Sequence, residues 1–231
     1  VWVSEAGETL REESPLGMTL VKENREIALS GDWMKGTTQD IVITTAVPVD
    51  TKIDEARNVN FLKIKLSNIS LEGFRLDGGR QKLVGQFLEI QQENPGLWKS
   101  YALPVTDEAL KWYLQPTPLI QSDNERIVKL AENITGNVRD AEKASRMLLH
   151  WVYENVEKKP TMSIPNSLGV LDLMAGDCNE HTTLFTALSR SVGVPTRICI
   201  GIVYMNDSFY CHSCKLFLCK SWWVLQPNGI M

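Results

Sequence analysis

The chain has 231 residues, of which 43% are hydrophobic and 23% charged, and a formal net charge of −4. This is the composition of a soluble globular protein whose core needs neither disulfides nor metal, arranged as one large or two small domains. The charges are interspersed and form no basic stripe of the kind that neutralises phosphates, so no nucleic-acid partner is expected. No run approaches the roughly eighteen consecutive apolar residues of a membrane helix, so no membrane span is expected either. Because the chain opens at Val1, without Met or a charged-then-apolar leader, we expect an upstream piece, an export signal among the candidates, to be missing from it. Compartment and oligomeric state stay open.

Residues 1–105 read as a β-rich domain. One helical stretch is expected over Thr19 to Leu29, followed by a β-branched run from Ile41 to Val47 that ends at Pro48. Leu62, Ile64 and Leu66 alternate with Lys63, Lys65 and Ser67, the period of a half-buried strand. Asp77, Gly78 and Gly79 supply turn chemistry, and Leu83 to Ile90 reads as one further strand. None of the histidines or cysteines falls here, so the expected role is scaffolding or partner recognition.

Residues 106–231 read as a second domain with a helical rhythm. Ser122 followed by Glu125 has the spacing of a capping box, and Ile127, Leu130, Ala131 and Ile134 then share one apolar face ending at Gly136. A second helix is expected from Arg139 to Glu157, burying Ala144, Met147, Leu148, Trp151 and Val152. Pro160 and Pro165 interrupt the chain before a short helical turn from Ser167 to Met174. After a further helix the chain turns to strands: Thr196 to Met205, a turn at Asn206-Asp207-Ser208, Phe209 to Leu218, and Ser221 to Leu225.

All five cysteines, Cys178, Cys199, Cys211, Cys214 and Cys219, lie in the last quarter of the chain, which is not the layout of a disulfide framework. Cys178 lies in Gly176-Asp177-Cys178-Asn179-Glu180-His181 and opens a helix through Leu184, Phe185, Ala187 and Leu188. At a helix N-terminus the unbonded N–H groups and the dipole favour a thiolate, and the same N–H groups favour the oxyanion formed when that thiolate attacks a carbonyl. Downstream strands then present His212 and the polar Gln226, the order that a Cys-His-orienter triad requires. His181 reads as a structural neighbour of the site, His150 as a surface or packing residue, and Glu180 as a buried acid paired with backbone or Arg197. Cys199 reads as a small core hydrophobe.

Residues 176–227 resemble the transglutaminase-like core: Gly-Asp-Cys-x-Glu, a helix, Gly193-Val194-Pro195-x-Arg197, a strand with Gly201 and Tyr204, a histidine, and a closing polar-Pro pair. With the preceding helices the resemblance covers Ser122 to Pro227 and is to bacterial members. It implies an α+β, papain-like fold with helices packed on an antiparallel sheet. It also implies catalysis by Cys178, His212 and Gln226, supported by Asp177, Glu180 and Tyr204. The chemistry implied is acyl transfer on amide or ester bonds of a protein or peptide substrate, by transamidation or hydrolysis, with no cofactor. Family members usually continue beyond the last strand, so the C-terminus at Met231 is expected to be incomplete.

Two positions depart from the family pattern. His212-Ser213-Cys214 stands where the pattern has His-Ala-Trp, and Gln226-Pro227-Asn228 where it has Asp-Pro-Thr. These changes keep open a binding module that retains the fold without the activity. Another reading takes Cys211, His212, Cys214 and Cys219 as zinc ligands. Adjacent strand residues point to opposite faces, which weighs against Cys211 and His212 sharing a metal.

Overall fold

The computed structural model describes residues 2–5, 9–13, 19–29, 46–74, 76–94, 99–159, 165–219 and 222–225, and for 211–219 and 222–225 the backbone path alone. The chain divides into two compact units: Val1–Ile53 with Ile202–Cys211, and Asp54–Gly201 with His212–Met231.

In the first unit, β1 (Trp2–Val3), β2 (Thr9–Glu13) and β3 (Thr19–Val21) form a small antiparallel sheet. A single helical turn, α1 (Arg25–Leu29), follows. The expected helix from Thr19 is thus corrected: its first three residues pair as a strand, because a β-branched Thr and Val beside β2 gain more from the ladder than from a helix. The strand expected at Ile41 to Val47 lies mostly outside the described residues, and its end forms β4 (Val47–Pro48).

The second unit begins with an antiparallel sheet of β5 (Phe61–Lys65), β6 (Gln81–Val84) and β7 (Phe87–Gln91), in the order β5-β7-β6. Burial alternates along β5 as its sequence does. The single strand expected from Leu83 to Ile90 is instead a hairpin, with Val84 opposite Phe87 across Gly85-Gln86. Gly85 has φ +62°, a left-handed value that suits glycine and reverses the chain in two residues.

The helices follow: α2 (Glu108–Lys111), α3 (Glu125–Thr135), α4 (Ala141–Asn155), α5 (Ser167–Leu173) and α6 (Cys178–Ser191). The capping box expected at Ser122 is corrected. Asn124 is the N-cap and accepts from the Arg126 N–H at 3.0 Å, while Ser122 is itself buried. Helix α4 is shorter at both ends than its pattern suggested: Asp140 caps its start by accepting from the Lys143 N–H at 2.8 Å, and the backbone is already extended at Val156. Two short strands that no sequence rhythm announces, β8 (Glu157–Lys158) and β9 (Ala175–Gly176), pair in parallel directly after α4 and directly before α6.

Helix α6 is the centre of this unit and packs on α3, α4 and α5. Glu180 and every residue from Thr182 to Ser189 are buried, so the helix has no solvent face over two turns. Its core partners include Ile127, Ala131, Leu148, Val152, Val156 and Val170. Of the threonines that this burial encloses, Thr186 donates to the Thr182 carbonyl at 2.7 Å. The last three strands, β10 (Thr196–Met205), β11 (Ser208–Cys219) and β12 (Trp222–Leu225), form a sheet in sequence order, with β4 pairing to the start of β11. The architecture is α+β, a helical layer and antiparallel sheets, as expected.

Candidate active site

Cys178 is the first residue of α6, half-buried and not disulfide-bonded. Its position is set by a capping box around it. The Asp177 carboxylate accepts from the Asn179 N–H at 3.0 Å, and the Glu180 carboxylate reaches back to accept from the Asp177 N–H at 3.0 Å. Glu180 is only 3% exposed, and its carboxylate meets backbone, one of the two kinds of partner expected for it. Gly176 is required by the same packing. A Cβ built there would stand 2.2 Å from the Glu180 Cβ, so only glycine lets the acid fold under the turn.

Two carboxylates therefore already occupy the field of the helix N-terminus, a field worth about 0.3–1 kcal/mol to an anion at an exposed end. A thiolate at Cys178 shares that field with Asp177 and Glu180, and needs a cationic partner besides. This is the physical reason to look for an imidazole.

His181 does not serve. Its Nδ1 lies 2.6 Å from the Asp177 carbonyl and its Nε2 3.2 Å from the Val156 carbonyl, so both ring nitrogens face acceptors. The structural role expected for it is what the geometry supports. His150 is exposed, as expected, with Nε2 3.1 Å from Glu154. His212 lies within β11, where only its backbone is described, and Gln226 follows β12 outside the described residues.

Tyr204, expected as a supporting residue, belongs to the first unit. Its hydroxyl accepts from the Ile53 N–H at 2.9 Å and donates to Asp207 at 3.2 Å, and its ring meets Phe209 edge-on at 5.4 Å. Lys52 pairs with Asp207 and, with the Tyr204 bond, holds its carboxyl below the usual range. These partners bind Tyr204 to the tip of the β10–β11 hairpin.

Cys199 is half-buried, and burial pushes its thiol above the ordinary value against the opposing effect of Arg197. Arg190 is a residue whose role the sequence did not suggest. Its guanidinium donates to the Thr196 carbonyl at 3.0 and 2.8 Å and to the Gln115 carbonyl at 2.7 Å, joining the end of α6 to the start of β10. Burial lowers its pKa.

The zinc reading meets an obstacle in the backbone. Residues Ser208–Cys219 form one strand. His212 and Cys219 are seven residues apart on it, about 23 Å at the rise of extended backbone, which is too far for ligands of one ion. Among the described residues no cluster of metal-ligating side chains occurs, and no helix is long and apolar enough to cross a membrane.

Comparison with known proteins gives a consistent result. The sequence model of the transglutaminase-like superfamily matches residues 128–227. An uncharacterised protein of Haemophilus influenzae is 28% identical over 96 residues, which is 39% of this chain and 26% of that one. Among solved structures, a cysteine-protease candidate from Cytophaga hutchinsonii superposes with a TM-score of 0.51 at 22% identity, over 60% of this chain and 49% of that one. The periplasmic domain of TgpA from Pseudomonas aeruginosa gives 0.43 at 14% identity, over 78% and 65% of the two chains. The chain thus spans about a quarter of the Haemophilus relative and half of the Cytophaga protein. A cysteine opens the central helix directly after its N-cap, antiparallel strands follow, and the match runs from α3 to the residue after Gln226: residues 128–227 are similar to the transglutaminase-like superfamily, and the fold is papain-like.

Proposed function

We propose that this chain performs thiol-dependent acyl transfer on amide or ester bonds of a protein or peptide substrate. Cys178 is the nucleophile, His212 the base and Gln226 the group that orients the imidazole, with Asp177 and Glu180 supporting the nucleophile. The observation that carries the reading is the placement of Cys178 as the first residue of a buried central helix, fixed by a two-sided capping box.

In this scheme His212 takes the Cys178 proton and the thiolate adds to the carbonyl. Helix N–H groups stabilise the oxyanion. Collapse expels the amine or alcohol, which takes the proton from the imidazolium, and leaves a thioester on Cys178. An incoming amine or water, deprotonated by His212, completes transamidation or hydrolysis. Gln226 offers a carbonyl oxygen to the imidazole N–H in place of a carboxylate, which holds the tautomer but does not neutralise the imidazolium. In a serine triad the loss of that charge costs about 10⁴ in rate; a thiol, more acidic than a hydroxyl, loses less.

The departures at Cys214 and Gln226 favour a second reading, a binding module that keeps the fold without turnover. For residues 1–105 we propose a scaffolding or recognition role. The two readings separate in one experiment: incubation with denatured protein substrate and a fluorescent primary amine, scored for amine incorporation and for new N-termini. Either product, absent with Cys178→Ala, supports acyl transfer and identifies the acceptor. Absence of both from the wild type supports the binding module.

A further inference from the structure

The first turn of α6 is tied to the end of α4 by more than its capping box. Strand β9 runs into Asp177, and parallel β8 runs out of Val156. The Glu157 N–H donates to the Met174 carbonyl at 2.9 Å and the Lys159 N–H to the Gly176 carbonyl at 3.0 Å. His181 closes the same frame from the other side, between the Asp177 carbonyl and the Val156 carbonyl. Val156 is the C-cap of α4, 2% exposed and part of the main core. His181 stands three residues beyond Cys178, on the adjacent surface of the helix.

A carbonyl only accepts, so each of these contacts needs a hydrogen on the ring nitrogen. The neutral ring supplies one such hydrogen and the imidazolium supplies two.

We propose that His181 is a positioning residue for Cys178. Its ring, seated between the Asp177 and Val156 carbonyls, fixes the start of α6 against the end of α4, and so sets where the thiol stands. This rests on the thiol reading above. The ring is committed to backbone and takes no proton from the thiol. Phe keeps its bulk without a donor, whereas Gln keeps a donor of similar reach.

The test uses the full chain as wild type, His181→Phe and His181→Gln. Amide exchange is read peptide by peptide over 156–159 and 174–181, and Cys178 alkylation is followed against pH. The proposal expects the Phe variant to exchange about two- to tenfold faster in both segments, the effect of one lost hydrogen bond. Cys178 in that variant should alkylate more slowly and with an altered pH profile, and Gln should restore at least half of both effects. Wild-type exchange in the Phe variant, or a Gln variant no better than Phe, overturns it. If wild-type Cys178 has an ordinary thiol profile independent of His212, the catalytic reading fails, and exchange still decides whether His181 holds the turn.

Discussion

At the residue scale the decisive feature is how closely Gly176, Asp177 and Glu180 specify one another around Cys178. Replacing Glu180 with Ala leaves the half-buried Asp177 N–H without its acceptor and opens a hole beneath the turn. We expect a loss of about 1–3 kcal/mol by denaturant unfolding. Gly176→Ala forces a Cβ to 2.2 Å from its neighbour and should cost at least as much, by the same measurement, with no change in polarity to account for it. Asp140 offers a test of charge alone. Its carboxyl is held below its ordinary value of 3.8, chiefly by the hydrogen bond from the Lys143 N–H. A depressed folded-state pKa adds stability that is present above the unfolded value and lost as pH falls through the folded one. Asp140→Asn keeps the cap without the charge, so its unfolding midpoint should lie below wild type at neutral pH. The two should converge as pH falls through the depressed folded-state value.

At the element scale the sequence was informative where periodicity and capping coincide, and silent where geometry is decided across the chain. The Gly-Asp-Cys-x-Glu spacing announced the start of α6 to the residue, because N-cap and N3 chemistry are local. Helices α3 and α4 were legible for the same reason, although Asn124 displaced Ser122 as the cap of α3. The β6–β7 hairpin was missed because its two central residues, Gly85 and Gln86, sit inside an otherwise continuous apolar run. Strands β8 and β9 have no local signal at all, being two residues each and paired in parallel across α5. Two substitutions test these elements. Gly85→Val should destabilise the β5-β7-β6 sheet by about 1–2 kcal/mol, since a branched side chain resists the left-handed turn. Leu148→Ala, fully buried where α4 meets α6, should cost about 2–5 kcal/mol; a change under 1 kcal/mol would mean that α6 is not the centre of the core.

At the scale of the whole molecule, Cys178 and the groups that frame it are contained in one stretch, from α3 to the strands after α6, which is also the part that matches the superfamily model. The sequence made the capping residues around Cys178 legible, whereas His212 and Gln226 remain proposals from their order along the chain. The seat of His181 between two carbonyls and the bridge made by Arg190 were not legible, since both end on main-chain carbonyls, and no residue type advertises an acceptor that every residue carries. The account's central claim is that Cys178 is a nucleophile activated by His212. Its most direct measurement is the pH dependence of alkylation at Cys178, read peptide by peptide, in the wild type and in His212→Ala, with Cys199 as the internal reference because burial raises its thiol. The account predicts fast alkylation of Cys178 well below pH 8, ahead of Cys199, and loss of that reactivity without His212. Slow alkylation with an ordinary thiol profile, unchanged in His212→Ala, would contradict it.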